Sequence, residues 1–187
     1  MKIIANDIRV GAVLEHEAKL WVVLKTMHTQ PGKGGAFMQV EMKDIKSGTK
    51  LNVRFRSSET VERAHLEIKD YQFLYEGMGT VELMDNETYE QISLSKELVA
   101  EQLPYLKEGM VVGVEFYGEE AISIALPETV ILEVAECEPV VKGQTAASSY
   151  KPAKLENGVR IMVPPFINQG VKVVVKTEDG SYLERAK

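Results

Sequence analysis

Cysteine is nearly absent from this chain. Cys137 stands alone among 187 residues, so no internal disulfide can form, and the expected setting is a reducing cytoplasm. Long apolar runs are missing as well. No stretch approaches the ~20 residues a membrane helix needs, and Lys2, Asp7, Arg9, Glu15, Glu17 and Lys19 leave no room for a signal-peptide core near the start. The expectation is a protein that is neither exported nor held in a membrane. Long helical periodicity is also lacking, which leaves room for three small β-domains of roughly 60 residues, near the lower size limit for independent stability.

Basic residues are scarce in the middle of the chain. Residues 65–128 hold 3 Lys/Arg against 14 Asp/Glu, while residues 1–64 hold 11 against 7 and residues 129–187 hold 8 against 7. The net charge of −6 argues against a generic nucleic-acid coat protein. The two ends could approach RNA while the middle would be repelled by it. An acidic surface that serves only solubility accounts for the same counts.

What is present is a succession of short strands separated by turn signals. LNVRF (51–55), YQFLYEGMGTVELMDNETYEQI (71–92), MVVGVEFYGEEAISIAL (110–126) and VKVVVKTEDGSYLER (171–185) are rich in β-formers. Ser47-Gly48, Glu76-Gly77, Asp85-Asn86, Tyr117-Gly118 and Asp179-Gly180 mark the reversals. One segment, SKELVAEQLPYL, reads as a short helix: Ser95 is a candidate N-cap, Val99, Leu103 and Leu106 share a face, and Pro104 limits its extent. The pattern predicts an all-β protein built of small barrels with one short helix in the middle domain. Boundaries are set at 1–64, 65–128 and 129–187, with KGQTAASSYKP (142–152) as a long loop inside the third unit. VELMDNETYEQ and VVVKTEDGSYLER echo one another, each reading as strand, acidic turn, and a strand starting at Tyr89 or Tyr182. A shared hairpin geometry explains the echo as well as duplication does.

No conventional catalytic constellation appears. His16, His28 and His65 are too scattered to form a metal-ligand pair, and Cys137 has no partner spacing and reads as a packed structural thiol. Glu119-Glu120 lies at a hairpin turn, where solvated charge is the default. Met27, Met38 and Met42 read as core filler.

The stretch TQPGKGGAF, residues 29–37, is the chemically unusual one. A phosphate loop would need Gly at 27 and Ser or Thr at 34, where Met27 and Gly34 stand, and no helix comes after it. Two readings of the residues remain. One is a glycine-rich hairpin tip with an incidental lysine. The other is a lysine, Lys33, presented on a thin projection, with Gly32, Gly34 and Gly35 clearing bulk and Pro31 stiffening the approach. A flexible ammonium there could meet phosphate oxygens or be enlarged by modification.

PGKGGAF after a strand resembles the modification loop of the bacterial elongation factor P family, and the resemblance runs over essentially the whole chain. NDIRVGAVLEHEAKLWVV is similar to the family's opening strands, and MDNETYEQI to its second-domain hairpin. KPAKLENGVRIMVPPFINQG resembles the family signature through Lys151, Ala153, Gly158, Val163, Pro164, Ile167 and Gly170, and GSYLER its closing segment through Tyr182 and Arg185. The resemblance implies an SH3-like (KOW-type) first domain and two OB-fold barrels in a tRNA-like L shape. It implies a monomeric cytoplasmic translation factor that is not an enzyme and binds no metal or dissociable cofactor. Its implied partners are the ribosome, between the peptidyl and exit sites, and P-site peptidyl-tRNA, whose CCA end it positions to relieve stalling at consecutive prolines. Lys33 would be the tip residue at the peptidyl-transferase centre, a site that a lysine-modifying enzyme extends covalently in relatives, for example with β-lysine. Tyr182, Arg185, Gly143 and Thr145 would contact RNA from the third domain.

The sequence departs from the family in two places: the second-domain segment SKELVAEQLPYL is only loosely family-like, and a third-domain loop differs residue by residue. Where the family carries Pro-Gly and then Gly-Asp-Thr, this chain reads Pro139-Val140-Val141-Lys142-Gly143-Gln144-Thr145. Gln144 in place of an acid and Val140 in place of glycine put codon-side contacts in doubt. They motivate an alternative, an OB-type RNA-binding or chaperone-like protein without the ribosomal role.

Overall fold

The computed structural model describes residues 1–139 and 149–187. Val140 to Thr145, and most of the 142–152 stretch, therefore lie outside the described residues. Among the described residues sixteen strands form three sheets, and the chain divides into two compact units, Met1–Glu67 with Glu115–Ile122, and Ile68–Val114 with Ser123–Lys187.

In the first unit, β1 (Lys2–Ile4), β2 (Val13–His16), β3 (Lys19–Thr29), β4 (Phe37–Asp44), β5 (Lys50–Arg56) and β6 (Thr60–Arg63) form one antiparallel sheet in the order β1-β6-β2-β3-β4-β5. Strict alternation along β4 and β5 decides which face is buried. Met38, Val40 and Met42 pair with Phe55, Val53 and Leu51 on the inner face, and pack with Ile8, Leu14, Trp21 and Val23. The Trp21 indole N–H donates to the carbonyl of His16 at 3.0 Å, so the ring is buried without an orphaned donor. Met38 and Met42 are core filler, whereas Met27 is half exposed on the outer face of β3.

The second unit holds β7 (Glu67–Glu76), β8 (Thr80–Asp85), β9 (Gln91–Ser95), β10 (Val111–Tyr117) and β11 (Glu120–Ala125), then β12 (Thr129–Cys137), β13 (Lys151–Leu155), β14 (Arg160–Val163), β15 (Lys172–Lys176) and β16 (Tyr182–Arg185). The tip of the β10–β11 hairpin belongs to the first compact unit. There Glu120 pairs with Lys46 at 3.0 Å and the Tyr117 hydroxyl donates to Glu15 at 2.7 Å. The two five-stranded sheets run β11-β10-β7-β8-β9 and β14-β13-β12-β15-β16. Counted from its own first strand, each has the same order, third-second-first-fourth-fifth, as in a five-stranded OB barrel.

The segment read as a helix folds differently. Ser95 does cap it, its hydroxyl accepting from the Glu97 N–H at 3.3 Å, but the residues beyond the cap form a chain of turns ending in a single 3-10 turn at Leu103–Tyr105. Pro104 sits in the first turn of that element and has no N–H to give, so the tighter turn forms in place of a longer α-helix. Val99 and Tyr105 are the buried anchors of the segment, and Leu103 and Leu106 are only partly covered.

One hairpin design recurs in all three sheets. The N–H of Asp44, Asp85 and Lys176 donates across the turn to Thr49, Glu90 and Ser181, and the N–H of Gly48, Tyr89 and Gly180 returns to the carbonyl of the first residue. The returning residue is left-handed in each, with φ of 71°, 60° and 71°. Tyr89 thus holds a position where its counterparts are glycine, at a cost of roughly 1 kcal/mol for a side chain in this region. Tyr89 lies in the turn, two residues before β9, while Tyr182 does begin β16. The two echoing segments are the second-third hairpin of one sheet and the fourth-fifth of the other, so their likeness is turn geometry and not positional repetition.

Asp44 is the one buried charged residue among the described residues, 4% exposed. Its carboxylate accepts the N–H groups of Lys46 and Ser47 at 2.9 and 3.4 Å, with the Lys19 ammonium at 3.3 Å. Burial by itself pushes its pKa up, but the combined hydrogen bonds from Lys46, Ser47 and Lys19 outweigh it and hold the carboxyl below its usual range. A depressed carboxylate contributes stability above its unfolded pKa, near 4, and loses it as pH falls through the lower folded value. Asp44→Ala is therefore expected to destabilise the first unit by about 2 kcal/mol at neutral pH. The difference from the parent should shrink at pH 3. Urea titration followed by the fluorescence of Trp21, the single tryptophan, measures both.

Candidate functional site

The β3–β4 hairpin places the lysine loop. β3 is 11 residues long and only its first half is covered by the core; from Lys25 onward it runs mostly exposed. A bulge between Val23 and Lys25 leaves Leu24 unopposed and re-aims the outer half of the strand. The ladder ends at Thr29 opposite Phe37, and residues 30–36 form the connection. Two contacts anchor its base on the β5 side. The Ser57 N–H donates to the Ala36 carbonyl at 3.0 Å, and the Arg54 guanidinium lies 3.2 Å from the centre of the Phe37 ring.

Beyond that base the loop is held by very little. Residues 30–35 are all exposed, and among the described residues none takes part in a hydrogen bond outside the ladder. Lys33 is the apex, four residues from Thr29 and four from Phe37. Four extended residues reach at most ~14 Å from the last ladder pair. The three glycines differ in kind. Gly34, at φ +145°, has a backbone conformation that side chains rarely adopt, and a Cβ there would stand 3.6 Å from the Pro31 ring. Gly32 and Gly35 show neither restraint: φ is ordinary, and a Cβ would meet nothing within 4 Å. The fold itself does not require glycine at those two positions.

Directly opposed residues share a face, so Thr29, Phe37 and Arg56 stand together, as do Met27, Gln39 and Arg54, then Lys25, Glu41 and Asn52, then Lys43 and Lys50. The outer face of β3–β5 therefore carries Lys25, Lys43, Lys50, Arg54 and Arg56 against one carboxylate, Glu41, which pairs with Lys50 at 3.6 Å. Motif reasoning missed Arg54, Arg56 and Lys25. The signal was there in KLNVRFR, whose inward Leu51, Val53 and Phe55 leave every other residue outward.

The residues of the third-domain signature are structural. Ala153, Val163 and Ile167 are buried in the core of the last sheet, and Gly158 and Gly170 are left-handed turn residues. Tyr182 opens β16, packs against that core, and has its hydroxyl pKa raised by burial and then by neighbouring Tyr150. A register shift at Leu183 sets Tyr182 opposite Val175 and exposed Arg185 opposite Val173. Gly143 and Thr145 lie outside the described residues. Cys137 is half-buried, its thiol directed at the Ile167 carbonyl at 3.6 Å. Among the described residues no group of three or more His, Cys, Asp or Glu could hold a metal ion, and no helix is long and apolar enough to cross a membrane.

Three family models match successive stretches: the elongation factor P KOW-like domain over residues 4–61, the elongation factor P OB domain over 66–124, and the elongation factor P C-terminal domain over 130–185. Elongation factor P of Parvibaculum lavamentivorans is 59% identical over 186 residues, covering 100% of both chains. This chain belongs to the elongation factor P family. Elongation factor P of Rickettsia bellii and of a Chelativorans species are each 58% identical, again over 100% of both chains. A solved structure of a translation initiation factor 5A from Methanococcus jannaschii is similar at 23% identity and a TM-score of 0.49, covering 66% of this chain and 88% of that one. Elongation factor P is a family of translation factors, not of enzymes, and the all-β architecture with a KOW-like first domain and OB domains is the one the sequence predicted.

Because nothing in the chain fills the space beside Gly32 and Gly35, Gly32→Ala and Gly35→Ala are expected to leave the stability of the first unit unchanged within ~0.5 kcal/mol. Urea midpoints followed at Trp21 check this.

Proposed function

We propose that this protein binds the ribosome between the peptidyl and exit sites, beside P-site peptidyl-tRNA, and speeds peptide-bond formation where consecutive prolines stall it. The observation that carries this reading is Lys33 at the apex of an exposed, hydrogen-bond-poor hairpin loop in a chain of this family. Gly32 and Gly35, which the fold does not need, are clearance for a partner's walls, and the loop carries the lysine toward the CCA end of the tRNA. The cationic outer face of β3–β5 suits the phosphates of the same tRNA. Tyr182, Arg185, Gly143 and Thr145 face RNA from the third domain, and the cytoplasm is where the protein works.

The mechanism is positional. Proline's ring fixes its φ and burdens its nitrogen, so it reacts slowly. A factor that holds the peptidyl-tRNA in reactive geometry lowers the entropic part of the barrier, and each ~1.4 kcal/mol gained is tenfold in rate. The ribosome does the chemistry. Lys33 is a single flexible ammonium with no ion-pair partner among the described residues, which also makes it accessible to a modifying enzyme. We assign it a covalent extension of the β-lysine kind, which lengthens its reach.

Lys33→Ala is expected to abolish rescue of a reporter with consecutive prolines while a proline-free reporter is unaffected; unchanged rescue would refute the reading. Gly32→Ala and Gly35→Ala should lower rescue without lowering stability, which separates clearance from folding. An intact mass equal to that of the unmodified chain, from the native host, would refute the extension alone.

A further inference from the structure

Arg54 has a second relation to the lysine loop besides its charge. Its guanidinium lies over the ring of Phe37, 3.2 Å from the ring centre, well inside the ~6 Å range of a cation–π contact. Arg56, the residue directly opposite Phe37 in the ladder, makes no ring contact among the described residues. Arg54 stands one outward pair further in, opposite Gln39, and reaches Phe37 diagonally across the face. Its side chain has no hydrogen-bond or ion-pair partner among the described residues. The ring is what holds the guanidinium, and the guanidinium is what covers the ring.

Phe37 is where such a contact acts on the loop. It is the first residue of β4 and forms the last ladder pair with Thr29. Residues 30–35 are exposed and make no hydrogen bond outside the ladder. Gly32, Gly34 and Gly35 leave that backbone free to swing, so a direction has to come from the base. The Ser57 N–H holds the Ala36 carbonyl at 3.0 Å and fixes one point. A single hydrogen bond lets the chain pivot on it. The stack on Phe37 is a second fixed point, one residue on, and two successive restrained residues define an exit direction. Swinging the loop turns residue 37 and slides its ring off the guanidinium.

We propose that Arg54 is a positioning residue: by stacking on Phe37 it fixes the direction in which the loop carries Lys33. That role rests on the reading of Lys33 as the tip that acts beside peptidyl-tRNA. A tip aimed wrongly forfeits the advantage of proximity, so the aim sets the rate. The planar guanidinium is essential to the stack, and a lysine of equal charge lacks that plane. A cation that only met phosphate would depend on its charge and not on the ring.

Backbone amide relaxation of residues 32–36 in the free full-length protein is the first test. Larger-amplitude motion is expected in Arg54→Lys and in Phe37→Leu, and unchanged motion in Arg56→Lys. No RNA is present, so a phosphate contact cannot move this readout. Arg54→Lys alters an exposed position, and its urea midpoint at Trp21 should match the parent's. On ribosomes stalled at consecutive prolines, Arg54→Lys and Phe37→Leu should each lower the maximal rescue rate by about tenfold, with the half-saturating concentration nearly unchanged. The double variant should be no slower than either single one, because both remove the same contact. The proposal is overturned if Arg54→Lys leaves either the loop motion or the maximal rate as in the parent. It is equally overturned if only the half-saturating concentration rises, or if the two single losses multiply in the double variant. Unchanged rescue by Lys33→Ala sinks the ribosomal reading instead, and the relaxation comparison then decides alone whether Arg54 restrains the loop.

Discussion

The register of β4 against its two neighbours, β3 and β5, is the constraint on which the rest of the first unit depends. A strand pair has only two ways to face its side chains, and a one-residue slip would exchange them. With Met38, Val40 and Met42 turned inward against Phe55, Val53 and Leu51, Phe37, Gln39 and Glu41 must turn outward. Phe37 then meets Arg54 at the base of the loop, and the cationic residues of β5 line one face. The lysine apex, the basic surface and the hydrophobic core are set by a single alignment.

How much of this could be read from residues alone differs by element. The strands and reversals were legible because alternation and turn residues act locally, and every predicted reversal lies between two strands. The segment from Ser95 to Leu106 was legible only in part. Its cap was correct, but the 3.6-residue spacing of Val99, Leu103 and Leu106 could not show that the tertiary structure would use Val99 and Tyr105 as anchors and let tight turns do the rest. Met27 was misplaced for a related reason. An apolar residue in a strand gives its face only once the register is known, and the bulge at Leu24 intervenes.

The loop itself was visible as an oddity, and the structure separates its glycines. Gly48 and Gly180 sit in turns whose left-handed backbone favours glycine, and Gly34 has its own unusual φ. Gly32 and Gly35 have neither excuse. No sequence pattern distinguishes a glycine needed for its backbone from one needed for the space beside it; only coordinates do.

An exposed loop whose backbone is tied down by almost nothing, with a lysine at its centre, is also a place where the chain can be cut without first unfolding. A trypsin-like protease reads an ammonium and a locally extensible backbone, and both are present at Lys33. Acylation of that amine would remove the feature such an enzyme recognises while leaving the loop as accessible as before. A group that acylated the lysine would thus also shield the peptide bond beside it, so that lengthening the tip and protecting the intact chain would be one event.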